Sequence, residues 1–384
     1  MSETAAAHKS RLMPRVRRIV VKIGSSSISG TDGIDRGRLG ALVEQIAALH
    51  ARGLEVLVVT SGAVAAGVAR LGQRERPKSI PQRQAAAAVG QIDLMTAYGK
   101  FFADHGLLAA QVLLTHDDLA HRQRYINAKH TIQTLMQARV VPIANENDTV
   151  AIEELNFGDN DNLSALVATL VDADLLVILS DVAGLFEKDP RTNPEARIIP
   201  LLQAEKSDTS LETSAVTGPL GRGGMAAKVA AARKASAAGI ATIIADSARP
   251  AVLAAILDPA VEVGTLVLPG GDRLSRRKHW IAYNLKPSGA LVVDQGAYEA
   301  LRRSGGSLLP RGLAEVRGRF RSGACVRCVA PDGSEFGRGL VSYSAAELER
   351  IKGLHSNRIE EVLGYKISDE VIHRDDLAVF GAEG

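Results

Sequence analysis

Continuous apolar runs of strand length alternate with amphipathic helical patterns between residues 19 and 245, and this alternation restricts the fold more than any other feature. The runs at 54–60 and 175–179 are apolar almost throughout rather than at every second residue. Residues 35–52 instead repeat their apolar side chains at helical spacing. Apolar strands joined by helices are typical of a parallel sheet covered on both faces. The sequence therefore predicts an α/β fold whose mainly parallel sheet is sandwiched by helices.

The individual elements follow from the same patterns. The first predicted strand contains Lys22, and the later strands cover 54–60, 107–114, 140–144, 150–156, 175–179 and 240–245. Predicted helices cover 35–52, 63–71, 82–105, 117–139, 162–171 and 225–238. Ligands of such sheets bind beyond the carboxyl ends of the strands. The polar loops that follow these strands are therefore the places to look for chemistry.

The pattern changes near Leu268, where a Pro-Gly-Gly sequence opens a basic segment. Short strands with frequent turns follow, predicted at 289–294, 307–309, 314–320, 324–330 and 337–342. They indicate a small β-rich second domain. The predicted organisation is a disordered tail at 1–17, an α/β domain at 18–268, a linker at 269–287 and the β-rich domain at 288–376.

Composition excludes several classes of protein. A net charge of +3 over 384 residues is too small to imply a polyanionic partner, and 4% aromatic residues argue against a stacking surface for single-stranded nucleic acid. The N-terminus lacks the apolar core of a signal peptide, and no apolar run approaches the ~20 residues that span a bilayer. Cys325 and Cys328 are the only cysteines, which excludes a disulfide framework and fits a reducing cytoplasm. The two cysteines are three positions apart on a predicted strand, so their side chains face opposite sides of the sheet. We interpret both as packing residues.

The first strand carries a lysine in an apolar setting. Residues 19–27 read Ile-Val-Val-Lys-Ile-Gly-Ser-Ser-Ser, with Lys22 inside the run and Gly24 and Ser25 after it. A buried ammonium requires an anionic partner, and a small-residue turn lets the backbone approach phosphate. A lysine that snorkels from an edge strand explains the same residues equally well.

Two clusters of short polar side chains follow the fourth predicted strand, at 145–148 (Asn-Glu-Asn-Asp) and 158–162 (Gly-Asp-Asn-Asp-Asn). Carboxylates there can bind an ammonium group and amides a carboxylate, as an amino acid requires. Turn chemistry and the capping of a helix from Leu163 are the alternative. Two clusters at one sheet edge favour a site, and neither has the order of a calcium loop.

A glycine-rich stretch at 218–225 opens a predicted helix that bears Lys228 in its first turn. Helix-end N–H groups and the macrodipole both favour an anion there, and a lysine in a first turn is easier to understand beside a phosphate. A flexible hinge with a solvated lysine is the alternative. Ser180 and Asp181 follow another predicted strand at the same edge.

Together these stretches resemble the amino acid kinase family. The residues that carry the resemblance lie at 20–26, 59–67, 145–148, 158–165, 180–185 and 223–228, in the family's order. The resemblance covers residues 18–376 and is greatest to the branch that phosphorylates the side-chain carboxylate of L-glutamate. The C-terminal part resembles a PUA domain, a small β-barrel that many members of this branch carry.

The resemblance implies roles for individual residues. Lys22 and Lys228 would contact ATP phosphates, and Asp161 would hold the two lysines in place as the third catalytic residue. The nucleotide site would further comprise Gly24, Ser25, Ser180, Asp181, Gly223, Gly224 and Met225, and the glutamate site Ser61, Asp148 and Asn160 with Asn145 and Asp159 close by. Arg222, Ala226 and Ala227 stand where the family often has hydroxyl residues, so hydroxyl contacts at those positions are not carried over.

The implied reaction is ATP plus L-glutamate giving L-glutamyl 5-phosphate and ADP, the first step of L-proline biosynthesis. A side-chain carboxylate with a pKa of roughly 4.3 is already ionised at neutral pH, so no general base is required. ATP would act with Mg2+, whose direct ligands the sequence does not identify. The resemblance also implies feedback inhibition by proline, a homo-oligomer, contact with glutamyl phosphate reductase and a cytoplasmic location.

Two alternatives stay open at the level of sequence. One is another kinase of the family, acting on acetylglutamate, aspartate, carbamate or a nucleotide; the second domain and the 158–161 cluster argue against it. The other is an RNA-binding or regulatory protein, because PUA domains often bind RNA and this one carries basic residues, at Arg311, Arg317, Arg319, Arg321 and Arg327. A solvated barrel face is the favoured interpretation of these arginines.

Overall fold

The chain divides by its internal contacts into two units, residues 1–270 and 271–384. The division falls within the segment 269–287, for which the sequence predicts a linker. The computed structural model describes residues 4–30, 33–73, 77–151, 160–188, 190, 192–193, 195–203, 224–270, 281 and 287–380, without the side chains of residues 122, 123 and 304.

An eight-stranded sheet forms the centre of the first unit. Its strands are continuous apolar runs, as predicted, and most of their residues are buried. The strands of this unit, including a small separate pair (β2 and β3), are β1 (Arg18–Ile23), β2 (Ser29–Gly30), β3 (Gly33–Ile34), β4 (Glu55–Val59), β5 (Ala109–Leu114), β6 (Val141–Glu146), β7 (Leu175–Ser180), β8 (Leu201–Gln203), β9 (Ala241–Asp246) and β10 (Thr265–Leu268).

The sheet order is β5–β6–β4–β1–β7–β9–β10–β8. From β5 to β9 every neighbouring pair is parallel, and Lys22 on β1 lies in register with Val59 on β4 and Ile178 on β7. The carboxyl ends of these strands therefore meet at one edge of the sheet. The prediction of a mainly parallel sheet is confirmed. Antiparallel β10, which pairs with β9, was missed because a four-residue strand with three apolar residues carries little periodicity.

Helices cover both faces of the sheet. The helix predicted at 35–52 forms as α3 with Asp35 as its N-cap, whereas the single helix predicted at 117–139 is divided at His121. The helices of the first unit are α1 (Ala5–Leu12), α2 (Ser25–Ile28), α3 (Arg36–Ala51), α4 (Ala63–Arg70), α5 (Ile80–Asp104), α6 (His116–Ala120), α7 (Arg122–Gln137), α8 (Asn160–Leu170), α9 (Met225–Ala237) and α10 (Val252–Leu257).

The two faces of the sheet bury separate apolar cores. On β1, Val21 packs into a core shared with α3, α5 and α10, while Val20 packs into one shared with α7, α8 and α9. Each fully buried aliphatic side chain of this kind contributes about 1.5–3 kcal/mol. Because side chains alternate along a strand, Lys22 lies on the same face as Val20, which is the face that α8 and α9 cover.

Helices α4 and α5 touch through their backbones. A Cβ atom on Gly67 would lie 1.7 Å from the carbonyl oxygen of Ala86, and one on Gly90 would lie 1.9 Å from the carbonyl oxygen of Ala63. Only glycine allows this approach. The contact fixes α4, which follows β4 after the short loop 60–62, against the long helix α5.

The prediction of a disordered tail at 1–17 is wrong for its larger part, because residues from Ala5 onward form α1. Buried Lys9 anchors this helix: its Nζ donates to the carbonyls of Ala255 (3.2 Å), Asp258 (2.8 Å) and Val261 (2.6 Å). Carbonyls at and beyond the end of α10 lack helical partners and accept a cation readily. The sequence gives no sign of backbone acceptors, so from the sequence alone Lys9 is interpreted as a solvated lysine.

Two other predicted elements differ. The exposed strand predicted at 150–156 lies mostly outside the described residues, and residues 150 and 151 do not form a strand. The strand predicted at 307–309 is reduced to a single bridge between Leu308 and Ile372. No described helix is long and apolar enough to cross a membrane.

The second unit contains a five-stranded sheet in the order β12–β11–β13–β14–β15, in which only β11 and β13 are parallel. Its own core gathers residues such as Leu291, Tyr343 and Cys328, while Cys325 packs apart from it, against Ile281. Both cysteines are buried, which agrees with their interpretation as packing residues. The elements are β11 (Gly289–Val293), α11 (Gln295–Ser304), β12 (Leu313–Gly318), β13 (Cys325–Val329), β14 (Glu335–Leu340), α12 (Ala345–Ile351), α13 (Ile359–Leu363) and β15 (Leu377–Val379).

Candidate active site

Two lysines share one carboxylate at the carboxyl edge of the large sheet. Lys22 Nζ lies 2.6 Å from Asp161 Oδ1, and Lys228 Nζ lies 3.2 Å from Asp161 Oδ2. All three side chains are buried, with relative exposures of 6%, 2% and 7% for Lys22, Asp161 and Lys228. The three groups together carry one more positive than negative charge. A buried cluster of this composition favours an anion beside it.

Three separate elements bring this cluster together. Lys22 is the fifth residue of β1, Asp161 lies in the first turn of α8 and Lys228 in the first turn of α9. The helix predicted at 162–171 starts earlier than predicted, because α8 begins at Asn160 and so includes part of the 158–162 cluster. An acidic residue in a first helical turn interacts favourably with the helix dipole, so Asp161 suits its position.

Small residues surround the lysines. Gly24 follows β1, and a Cβ there would lie 3.4 Å from Lys22 Nζ and 3.6 Å from the carbonyl oxygen of Leu179. Ser25 begins the short helix α2 and is exposed. A backbone without side-chain bulk beside an ammonium group leaves room for a ligand to reach both.

Two further predicted positions flank the lysines. Ser180 ends β7 and is buried, and its hydroxyl donates to the exposed carboxylate of Asp181 at 3.0 Å. Gly224 precedes α9 in an extended conformation, and Met225 is its first residue. Gly223 and Arg222 lie outside the described residues. The N-terminus of α9 lies at the same sheet edge as Lys22, because Lys228 in its first turn shares Asp161 with Lys22.

Amide and hydroxyl side chains form a second group beside the charged cluster. Asn160 Nδ2 donates to Ser61 Oγ at 2.8 Å and to Asn145 Oδ1 at 3.4 Å. Asn145 Nδ2 in turn donates to Gln91 Oε1 at 2.9 Å. The network joins the loop after β4 with β6, α8 and α5. Asn160 Oδ1 is buried with no hydrogen-bond partner among the described residues, so this acceptor remains available for a donor.

Asp148 lies beyond β6 in a perturbed environment. Burial, together with the neighbouring charge of Glu146, raises the pKa of Asp148 to about 7. The two carboxyl groups line an open cleft of about 260 Å³ with Gln91, Asn147 and Thr149. A cation in this cleft would lower the pKa of Asp148 and stabilise its carboxylate.

The structure thus links six of the predicted site residues by direct contacts, with Lys22, Asp161 and Lys228 in one group and Ser61, Asn145 and Asn160 in the other. The roles of all the predicted residues stay predictions. Two of them, Asp159 and Gly223, lie outside the described residues, so their placement stays a prediction. Among the residues that the structure describes, no group of three or more His, Cys, Asp or Glu side chains could hold a metal ion.

Residues without a motif signal also support the site. Gln91 and Tyr98 both lie on α5, seven residues and therefore about two turns apart. The Tyr98 hydroxyl lies 2.9 Å from Thr60 Oγ1, which donates to the Ser61 carbonyl at 3.2 Å. Burial raises the pKa of Tyr98, so its hydroxyl stays protonated. In the sequence, the one available signal is a polar residue within an alanine-rich helix.

Comparison with known proteins places these observations in a family. Residues 17–246 match the amino acid kinase family, and residues 289–363 match the PUA domain. The glutamate 5-kinase of Geobacter sulfurreducens is 50% identical over 372 residues, covering 97% of this chain and 100% of its own length. That of Chromohalobacter salexigens is 50% identical over 381 residues, 99% of this chain and 100% of its own. The enzyme of Pelobacter propionicus is 49% identical over 369 residues, covering 96% and 99%.

Proposed function

The chain belongs to the glutamate 5-kinase branch of the amino acid kinase family, and we propose that it transfers the γ-phosphoryl group of ATP to the side-chain carboxylate of L-glutamate. The observation that carries the proposal is the buried Lys22–Asp161–Lys228 cluster next to the amide network of Ser61, Asn145 and Asn160. The charged cluster suits a phosphate group, and the amide network suits an amino acid. The product is L-glutamyl 5-phosphate, the first intermediate of L-proline biosynthesis.

The chemical difficulty of this reaction is electrostatic. The acceptor carboxylate is ionised at neutral pH and must approach a polyanion, so positioning and positive charge supply the catalysis. Lys22 and Lys228 are proposed to contact the transferring phosphoryl group from two sides. Asp161 engages both ammonium groups and fixes their separation, so each lysine is already in place when charge moves from the γ-phosphate to ADP.

The nucleotide is proposed to lie against the N-terminus of α9. The main-chain N–H groups of Gly224 and Met225, with Gly223 before them, suit phosphate oxygens, as do those following Gly24 and Ser25. Ser180 and Asp181 would line the pocket. In kinases Mg2+ bridges phosphate oxygens and neutralises their charge. Both Asp161 oxygens are engaged by ammonium groups, so the ion is proposed to be held by ATP rather than by Asp161.

Glutamate is proposed to bind in the amide network. Asp148 would receive the ammonium group, since burial and the charge of Glu146 raise its pKa and a bound cation would offset both effects. The free Oδ1 of Asn160 is a second acceptor for the same group. Ser61 and Asn145 would hold the rest of the molecule so that its distal carboxylate faces Lys22, with Asp159 nearby.

The test uses glutamate-dependent formation of glutamyl hydroxamate from ATP and hydroxylamine. We expect Lys22→Met and Lys228→Met to lower kcat by about 100-fold or more, because each removes a preorganised charge worth about 3 kcal/mol. Lys129→Met is the matched control: Lys129 forms a partly buried ion pair with Asp172 at 2.8 Å, away from the site. Near-normal turnover in either folded active-site variant would sink the assignment.

The remaining properties are proposals that follow from family membership. Proline would inhibit by competing with glutamate, since the two share an amino-acid head group. The enzyme would form a homo-oligomer, work in the cytoplasm and pass its labile acyl phosphate to glutamyl phosphate reductase. The kinase domain is proposed to span residues 18–268 and the PUA domain 288–376, joined by the linker at 269–287.

A further inference from the structure

Gln91 is a half-buried glutamine of α5 whose two amide atoms have different environments. Its Oε1 accepts a hydrogen bond from Asn145 Nδ2 at 2.9 Å, whereas its Nε2 is buried with no hydrogen-bond partner among the described residues. While the Asn145 amide keeps its orientation, turning the Gln91 amide over would set two N–H donors against each other. In this arrangement Nε2 is the unpaired atom of the Gln91 amide.

The described residues around Gln91 give this N–H no hydrogen-bond acceptor but leave room for one. Gln91 lines the open cleft of about 260 Å³ together with Asp148 and Glu146. A buried N–H without an acceptor typically costs about 1–3 kcal/mol. An anion in the cleft would remove this cost, provided that it arrives with a cation to balance the two carboxyl groups.

An α-amino acid has this distribution of charge. Its ammonium group and α-carboxylate are bonded to the same carbon, so a ligand whose ammonium meets Asp148 must place its α-carboxylate in the same cleft. That carboxylate needs a neutral or positive donor, because Asp148 and Glu146 would otherwise repel it. The distal carboxylate is left to extend toward Lys22.

We propose that Gln91 binds the α-carboxylate of the amino-acid substrate through Nε2 and thereby selects α-amino acids over ω-amino acids that lack this group. The inference rests on the proposed function and names a specificity determinant for it. Asn145 acts as a positioning residue, since its hydrogen bond to Gln91 Oε1 orients the Gln91 amide.

The first experiment compares L-glutamate with 4-aminobutyrate, which keeps the ammonium and the reactive carboxylate but lacks the α-carboxylate. In Gln91→Leu, kcat/KM for L-glutamate should fall roughly 10- to 100-fold, the range for a hydrogen bond to a charged group, mainly through KM. The value for 4-aminobutyrate should stay within about 2-fold. Where 4-aminobutyrate is not phosphorylated, its inhibition constant against L-glutamate gives the same comparison. An equal loss for both compounds would overturn the proposal and leave Gln91 as a positioning residue.

A second variant separates the two amide atoms. Gln91→Glu keeps an oxygen that can accept from Asn145 Nδ2 but replaces the N–H by a negatively charged oxygen. We expect it to lose at least as much kcat/KM for L-glutamate as Gln91→Leu. If Gln91 acted only by orienting Asn145, the Glu variant would retain near-normal kinetics, and this result would contradict the proposal.

The matched control is Gln45→Leu on α3. Gln45 is also half-buried and hydrogen-bonded, accepting from Leu253 N at 3.1 Å and donating to the Ala41 carbonyl at 3.2 Å, but it lies outside the site. It should leave the kinetics of both compounds within about 2-fold. A wild-type protein that forms no hydroxamate from L-glutamate would refute the proposed function itself, whereas an active wild type with an unchanged Gln91→Leu variant would refute only this inference.

Discussion

At the scale of single residues, the site is defined by charged side chains in buried positions, where an unpaired charge costs free energy. Lys22, Lys228 and Asp161 offset one another within hydrogen-bonding distance. Asp148 has no such balance, because its burial and the charge of Glu146 both disfavour its ionised form. A binding residue whose ionised form is destabilised in this way is stabilised most when a ligand of opposite charge binds.

Asp148 should therefore make the folded protein less stable as the pH rises. Its pKa is about 7 in the folded protein, against about 4 in an unfolded chain, so the folded state holds the proton more tightly. Stability is lost progressively between pH 4 and 7, and the full penalty is present above pH 7. Asp148→Asn removes the ionisation, so it should raise the unfolding free energy at pH 8.5 by up to a few kcal/mol, at roughly 1.4 kcal/mol per unit of pKa shift, and by much less at pH 5. The Tm should rise in the same proportion. Thermal unfolding at both pH values measures this, and an equal effect at the two would contradict it.

At the scale of elements, α5 is the part that organises the amino-acid side of the site. It supplies Gln91 to Asn145 and Tyr98 to Thr60, and it meets α4 at the backbone contact of Gly67 and Gly90. Since only Gly62 separates Ser61 from the start of α4 at Ala63, the position of that serine depends on how closely the two helices pack.

Gly90→Ala tests this dependence. Its Cβ would lie 1.9 Å from the Ala63 carbonyl oxygen and 2.3 Å from Gly67 N, so backbone must move rather than a flexible side chain. We expect the unfolding free energy to fall by about 1–3 kcal/mol. We also expect the KM for glutamate to increase over its wild-type value by a larger factor than the KM for ATP. Gly99→Ala on the same helix meets nothing within 4 Å and should instead stabilise by up to about 1 kcal/mol. Urea unfolding and initial rates give both comparisons; a stable Gly90→Ala enzyme with normal KM would be inconsistent with the packing argument.

The order of these elements could be predicted from sequence because strand runs and helical periodicity are local. Lys22 and Lys228 were found in the same way, since each stands in an apolar or glycine-rich setting. The roles of Lys9 and Gln91 could not be predicted in this way. Lys9 binds carbonyl groups far along the chain, and Gln91 binds Asn145, which lies on a strand distant in sequence. The start of α8 was placed too late because Asn160 and Asp161 have low helix propensity, which the burial of α8 overrides.

At the scale of the whole molecule, the chain consists of two units with separate cores. The first holds every described residue of the site, and the second packs its own core around residues such as Leu291 and Tyr343. Tyr343 links distant parts of the second unit: its hydroxyl donates to the Ser368 carbonyl and accepts from the N–H groups of Ile367 (3.0 Å) and Ser368 (2.9 Å). Removing this hydroxyl loosens one unit without touching the site.

Tyr343→Phe should therefore separate stability from catalysis. The substitution leaves two backbone N–H groups and a carbonyl without their partner in a buried setting, which should destabilise the second unit by about 2 kcal/mol or more. Glutamyl hydroxamate formation at 25 °C should stay within about 2-fold of wild type, because the site is built entirely from the first unit. Tyr298→Phe is the matched control, since its exposed hydroxyl bonds only to Arg302 among the described contacts and its loss should change neither property. If activity in Tyr343→Phe falls along the same thermal curve as the second unit, the two units unfold as one cooperative body, and the independence argued from their separate cores is wrong.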